Sequence, residues 1–294
     1  MKNPFEAITG IKIIKDEPIS KHTSFHIGGN AKFFVRIYSI RALKRILKIM
    51  KKRKMKYFVI GAGTNVLVSD KGFPGVVIKL NGFFTKIKRR GNLFYCGGGV
   101  LIDRLLMNVG EQGYGGAEFL AGIPGTVGGS IMGNAGAFGR SFAEIVDEIT
   151  IITQKIIEQN LDNKRIGFGY RNSKLKNGTI IILAKIRFAK KRRKNIMAEI
   201  KRNLKYRWQR QPVGYSAGSF FKNPLPYSAG KLIEECGLKG LRVGDAEVST
   251  KHGNFIINRG KAKSSDVIEL AKRIKKIIRD RKGISLKQEV KILN

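Results

Sequence analysis

Apolar residues fall along this chain in short bursts, each ended by glycine, proline or a run of lysine and arginine. Continuous bursts predict strands at Ile11–Ile14, from the Gly28–Gly29 turn to Ile37, at Tyr57–Ile60, and at Val66–Val68 and Val76–Leu80 around a Phe73-Pro-Gly turn. Ser39 is placed to cap a helix running to about Lys54. Its residues Ile40, Leu43, Leu47 and Met50 share one face, with basic residues on the other. Phe94–Cys96 leads into Gly97–Gly99, and Leu101–Gln112 reads as a short helix. Strands are expected again at Glu144–Thr153 and Thr179–Phe188. A basic helix then begins at Ala189 and runs to about Gln209, with Ile196, Ile200, Leu204 and Trp208 as its core face. The last helices are Ala229–Cys236, stopped by Gly237, and Ser265–Arg281, with Val267, Ala271, Ile274 and Ile278 on one face. Strand-like Glu247–Ser249 and Phe255–Asn258 lie between them, and Ser285–Ile292 alternates as a terminal strand. The pattern is α+β. The length of 294 residues fits two or three domains. Strand-rich sequence ends near Arg192–Lys201, which predicts one region over residues 1–195, in two lobes split near 80, and a second over 196–294.

Composition narrows the class. Hydrophobic residues make up 42% of the chain, which supports packed cores and excludes global disorder. No apolar run approaches the ~20 residues of a spanning helix, and Met1-Lys-Asn-Pro-Phe-Glu lacks the apolar core of a secretory signal, so a cytoplasmic protein without membrane insertion is expected. Cys96 and Cys236 are far apart and read as buried free thiols. His22, His26 and His252 show no zinc-ligand spacing, so no metal is expected. The formal net charge of +37 invites a nucleic-acid or membrane-surface reading. The charges spread over several helices without a recognition motif, and the abundance of Lys, Ile, Asn and Phe fits codon drift in an AT-rich genome. No specific nucleic-acid partner is expected.

Five segments are candidates for chemistry. Residues 121–139 hold seven glycines with almost no charge, in a chain otherwise crowded with lysine and arginine. Glycine lets a ligand approach the main chain, and turns of exposed N–H groups bind anions. A phosphate-bearing cofactor on this backbone and a plain glycine-rich surface loop are both open. Gly61-Ala-Gly-Thr-Asn65 follows an apolar strand and offers Thr64 and Asn65 to a pyrophosphate, but the full Gly-x-Gly-x-x-Gly is absent, so a Rossmann fold is not supported. Arg171 beside Tyr170 can grip a carboxylate, or be one more surface arginine. Ser219, after Gly218 and close to Lys222 and Asn223, lies in no Gly-x-Ser-x-Gly elbow, which argues against a hydrolase nucleophile. It can instead deliver a proton to a strongly basic carbanion-like intermediate, or be an ordinary loop serine. Glu289 on the terminal strand is either an ion-pair partner in solvent or a site residue.

Taken in order, these segments resemble the UDP-N-acetylenolpyruvoylglucosamine reductase family. The residues that carry the resemblance are Thr23–Gly29, Gly61–Val68, Gly122–Gly129, Asn134–Ala137, Tyr170–Ser173, Gly218–Pro224, Ala229–Glu234, Gly237–Gly240, Val248–Asn258 and the terminal Glu289-Val. They cover nearly the whole chain. The resemblance implies an FAD-binding domain of the vanillyl-alcohol-oxidase type followed by an α+β substrate-binding domain at the C-terminal end. It implies FAD held by Gly61, Ala62, Gly63, Thr64 and Asn65 and by Gly122, Ile123, Pro124, Gly125, Gly128 and Gly129. NADPH would reduce the flavin and leave, and UDP-N-acetylglucosamine enolpyruvate would take its place. Hydride would pass from flavin N5 to the vinyl carbon. Arg171 and Glu289 would stabilise the charge that develops next to the carboxylate, and Ser219 would supply the proton. Tyr170, Lys222 and Asn223 would hold the substrate carboxylate or diphosphate. His26 stands where the family often has Arg or Lys, and Gly253 where Ala is usual. The chain resembles the shorter class that lacks an extra substrate-covering loop, and a monomer is expected. The rival readings are another flavin enzyme with the same cofactor domain, and a basic nucleic-acid-binding protein that holds no flavin.

Overall fold

A computed structural model describes residues 4–294. The chain divides into two compact units and passes between them more than once. The first holds the chain up to Lys15, Phe33–Ala62 and Gly75–Lys205; the second holds Asp16–Lys32, Gly63–Pro74 and Tyr206–Asn294. The last passage, at Lys205/Tyr206, lies inside the helix Arg193–Arg210, ten residues beyond the sequence-derived boundary at 195/196. The two early excursions carry no shift in composition that would announce them.

In the first unit a sheet runs in the order Ile11–Pro18, Asn30–Ile37, Phe73–Leu80, Tyr57–Ile60. Phe73–Leu80 is one unbroken strand, so the expected Phe73-Pro-Gly turn does not form. The helix Ile40–Lys52 packs against the sheet through Leu43, Ile46, Leu47 and Met50, and Ser39 Oγ accepts the Ala42 N–H at 3.2 Å to cap it. A second sheet, antiparallel throughout, runs Glu158–Asp162, Val146–Ile152, Ile180–Arg187, Leu93–Gly97, Ile87–Arg90. Its inner face buries Cys96, Ile149, Ile151, Ala184 and Ile186 with Leu105 and Val109 of the helix Ile102–Glu111. Burial pushes the Cys96 thiol up to about 12, and both cysteines are free and buried, as their spacing suggested.

Main chain packs directly on main chain where this sheet meets the glycine-rich segment. A Cβ on Gly97 would lie 2.1 Å from the Phe84 carbonyl oxygen, and one on Gly98 would lie 2.0 Å from that of Ile181. Gly128 N–H donates to the Gly98 carbonyl and Val127 N–H to that of Val100, both at 2.8 Å. The segment is therefore not simply a loop: Val127–Met132 is a helix, capped by Thr126 Oγ1, which accepts from Gly129 N–H at 3.3 Å. The basic helix begins at Arg193, because Ala189–Lys190 first pairs with Tyr114–Gly115. Its residues Ile196, Ile200 and Leu204 reach the core, but Trp208 is 71% exposed, since the helix has outrun that core by its last turn.

In the second unit the helices Ala229–Glu235 and Ser264–Lys282 cover a three-stranded antiparallel sheet, Arg242–Val243, Ala246–Val248, Ile256–Asn258. Asp70, from the early excursion, closes the start of the long helix: its carboxylate accepts from Ser264 N–H at 2.8 Å and Ser265 N–H at 3.2 Å. Gly283, at φ +68°, ends that helix. Lys291–Leu293 pairs in parallel with Val66–Val68.

The glycine packing generates a test. Gly98→Ala drives a methyl into a carbonyl that has no room to retreat, and a loss of at least about 3 kcal/mol of stability is expected in urea unfolding. An unchanged midpoint would show that the backbone contact is not tight.

Candidate functional site

The sequence-derived site residues fall in both units, and each unit presents its own group. In the first unit, strand Tyr57–Ile60 delivers Gly61 against the start of the short helix: a Cβ on Gly61 would lie 2.5 Å from Thr126 Oγ1. Gly61 thus lies against the 121–130 segment. Within that segment Gly122, Ile123 and Gly125 are half-buried, Pro124 and Gly129 are exposed, and Gly128 is buried against Gly98. The result is main chain bare of bulky side chains over two converging stretches. That cradle fits a long, flat ligand with a diphosphate, which needs close approach to backbone.

Tyr170 and Arg171 are the two central residues of a tight hairpin, in which Gly169 and Asn172 exchange N–H···O=C bonds of 3.0 and 3.2 Å. Arg171 sits at φ +51°, a left-handed conformation that costs a non-glycine residue of the order of 1 kcal/mol and concentrates at functional positions. Its Nη2 donates to the Gly136 carbonyl at 2.7 Å, and its guanidinium lies 5.5 Å from the Tyr170 ring centroid. Asn134 Nδ2 donates to the Gly169 carbonyl at 3.0 Å, and Ser173 Oγ to that of Met132 at 3.0 Å. Arg171 is thereby aimed by a frame of glycine carbonyls and buried polar side chains.

In the second unit, residues 218–222 run between two neighbours. On one side Phe220 N–H donates to the Asn254 carbonyl at 2.8 Å, and the buried Asn254 side chain both accepts from Phe221 N–H and donates to its carbonyl, at 2.9 and 2.8 Å. On the other side Glu289 N–H donates to the Phe220 carbonyl at 2.9 Å and Lys222 N–H to that of Lys287 at 2.8 Å. The ladder that fixes Ser219 therefore also fixes Glu289. Gly218, at φ +75°, makes the turn into it, and Phe220 and Phe221 anchor it in the core. Asn223 Oδ1 accepts the Ala229 N–H at 3.0 Å, which orients its amide, and Asn65 Nδ2 donates to the Glu289 carbonyl at 3.5 Å. Gly63 lies against the His22 carbonyl, 2.0 Å from where a Cβ would stand. His26, at φ +54°, stacks on Tyr215 with ring centroids 3.9 Å apart.

One group was not singled out from sequence. A cavity of about 350 Å³ in the second unit is lined by Tyr206, Arg207, Arg210, Glu234, Lys251 and His252, among others. The Arg210 guanidinium covers the Tyr206 ring at 3.9 Å, and Lys251 Nζ donates to the Trp208 carbonyl at 2.6 Å. Burial pushes His252 down, and the nearby Glu234 carboxylate only partly offsets it. Its Nδ1 accepts from Asn254 N–H at 3.1 Å, which leaves the proton on Nε2. In sequence the two arginines were two more cations among many, and Lys251-His252 stood out only as part of the family resemblance.

Comparison with known proteins gives a consistent result. Residues 31–155 match an FAD binding domain, and residues 210–293 match the UDP-N-acetylenolpyruvoylglucosamine reductase C-terminal domain. The UDP-N-acetylenolpyruvoylglucosamine reductase of Bacillus licheniformis is 40% identical over 285 residues, covering 96% of this chain and 94% of that protein. That of Bacillus subtilis is 39% identical with the same coverage. The crystal structure of the Thermus caldophilus UDP-N-acetylenolpyruvylglucosamine reductase superposes with a TM-score of 0.84 at 33% identity, over 97% of this chain and 99% of that one.

The approach to the 121–130 segment has a pH-sensitive brace. Glu118 is 1% exposed. Burial alone pushes its carboxyl up, but N–H groups of the backbone and the Lys191 ammonium, 3.0 Å away, outweigh burial and hold it below the usual carboxylate range. A carboxyl depressed by folding stabilises fully above its ordinary pKa of about 4.3 and loses that contribution as the pH falls through the lower folded value. Glu118→Gln is expected to cost roughly 1–3 kcal/mol near pH 7 and to lose less than wild type on acidification. Parallel acid dependence of the two proteins in urea unfolding would contradict this.

Proposed function

Because the chain belongs to the UDP-N-acetylenolpyruvoylglucosamine reductase family, we propose that it reduces the enolpyruvyl ether of UDP-N-acetylglucosamine enolpyruvate to UDP-N-acetylmuramate in peptidoglycan precursor synthesis, with FAD as cofactor and NADPH as hydride donor. The observation that carries this reading beyond the family is the single ladder that holds both Ser219 and Glu289. FAD, when bound, supplies a two-electron carrier between NADPH and the substrate double bond.

The chain's own residues supply binding and charge control. Gly61, Ala62, Gly63, Thr64 and Asn65, with Gly122, Ile123, Pro124, Gly125 and Gly129, offer main chain to the cofactor, and Gly128 sets the segment in place. Addition of hydride to the terminal vinyl carbon pushes an electron pair onto the carbon that bears the carboxylate. Arg171 and Glu289 stabilise that charge, Arg171 as a bidentate donor and Glu289 as a protonated carboxyl that donates its O–H. Ser219 then gives its hydroxyl proton to that carbon, and solvent reprotonates the serine. A serine hydroxyl is a weak acid, adequate only against so basic an acceptor. Tyr170, Lys222 and Asn223 hold the substrate carboxylate or diphosphate. The cavity of Arg207, Arg210, Lys251 and His252 matches the nucleotide end in size and charge. We read the enzyme as cytoplasmic and monomeric, with no specific nucleic-acid partner and no membrane insertion; no helix among the described residues is long and apolar enough to cross a membrane.

Two tests follow. Ser219→Ala is expected to leave reduction of bound flavin by NADPH intact and to slow its reoxidation by the substrate by about a hundredfold or more in stopped-flow absorbance. Equal reoxidation rates would remove Ser219 from the proton step. Arg210→Ala is expected to raise the KM for the UDP-substrate about tenfold while kcat changes little, the pattern of lost ground-state binding. An unchanged KM would take the cavity out of substrate recognition.

A further inference from the structure

Arg36 and Lys79 of the first unit are half-buried cations that enter no ion pair among the described residues. They occupy matching places on neighbouring strands, Asn30–Ile37 and Phe73–Leu80. Asn81 N–H donates to the Ile37 carbonyl at 2.8 Å, which sets the two strand ends side by side. Phe33, Val35 and Ile37, and Val76, Ile78 and Leu80, belong to the core under the helix Ile40–Lys52. Arg36 and Lys79 alternate with these residues and so take the opposite face of the sheet. Both are half-buried. Arg36 Nε is buried with no hydrogen-bond partner, and so is Oδ1 of the adjacent Asn81. Burial pushes the Lys79 ammonium down, and the Arg36 charge beside it pushes the same way. Two half-buried like charges with an orphaned donor are costly unless an anion joins them.

The place of the pair says which anion. Lys79 is in register with Ile60 on the parallel strand Tyr57–Ile60, about 4.8 Å away across the ladder. The next residue on that strand is Gly61, which opens the cofactor cradle against Thr126. Ligands of parallel sheets bind outside the carboxyl ends of the strands, and Arg36, Lys79 and Gly61 all stand at such ends. We propose that Arg36 and Lys79 together anchor a phosphate of the bound FAD, as positioning residues that hold the dinucleotide end of the cofactor beside Gly61. This rests on the flavoenzyme reading above. It explains why two cations are tolerated at that depth without a carboxylate: the ligand brings the counter-charge.

The test is FAD retention by the full-length protein. Flavin fluorescence on dilution of the holoenzyme gives the dissociation constant for wild type, for R36M/K79M, and for K48M, a control that removes one exposed charge from the helix Ile40–Lys52. The double variant is expected to bind FAD at least tenfold more weakly, K48M within twofold of wild type. ADP should displace FAD from wild type at lower concentration than riboflavin does, because it carries the phosphates. The flavin-free double variant should melt no lower than flavin-free wild type, since a like-charge pair has been removed. If the double variant fails to fold, K79Q alone should still weaken FAD several-fold. FAD affinity within twofold of wild type in a folded double variant would overturn the assignment. So would unchanged FAD affinity with a tenfold higher KM for NADPH, which would give the pair to the phosphates of the donor. A wild-type protein that holds no FAD at all would instead overturn the flavoenzyme reading itself.

Discussion

Backbone packed on backbone is the constraint from which the cofactor cradle follows. Gly97 and Gly98 lie against the carbonyls of Phe84 and Ile181 with no space for a side chain, and Gly128 N–H reaches the Gly98 carbonyl. These contacts fix the helix Val127–Met132 to the antiparallel sheet, and with it Thr126, against which Gly61 closes. Each step in that series needs glycine for steric room. A side chain at any of them would push these backbone surfaces apart. The large core beneath, from Phe94 to Ile200, keeps the sheet rigid enough to hold these distances.

The polar machinery is positioned by similar means but with a different currency, the satisfied hydrogen bond. Arg171 adopts a strained backbone and is steadied by the Gly136 carbonyl. Ser219 and Glu289 owe their places to a ladder whose two sides are locked by Asn254 and by the 287–289 backbone. In the function proposed above, the precision of these three side chains comes from the elements around them rather than from the groups themselves. Charge is handled unevenly. Glu118 has its Lys191, and Glu247 its Arg259. Arg36 and Lys79 have no such partner among the described residues.

Much of this was legible in the sequence. The capped helix at Ile40, the strands at Tyr57–Ile60 and Ile180–Arg187, and the long helix ended by Gly283 follow from periodicity and caps. The family was legible as well, because several weak motifs stood in one order. Other features were hidden for physical reasons. Phe73-Pro-Gly has turn composition, yet neighbouring strands draw it into a sheet. Trp208 keeps the helical spacing of Ile196 and Ile200, but periodicity does not show where a core stops. The glycine-rich segment hid a helix because its stability comes from contacts with Gly98 and Val100, not from its own propensities. The cations proposed above to meet ligands were masked by a net charge of +37: Arg210 is set apart by the cavity it lines, Lys79 by its half-burial. Only burial separates a ligand-facing lysine from a solvated one.

The most direct measurement is a single turnover of the wild-type protein. Its flavin is reduced with one equivalent of NADPH without oxygen, and UDP-N-acetylglucosamine enolpyruvate is then added while flavin absorbance is followed. The account predicts rapid return of the oxidised flavin spectrum with one equivalent of UDP-N-acetylmuramate formed. A flavin that stays reduced in the presence of this substrate would contradict it.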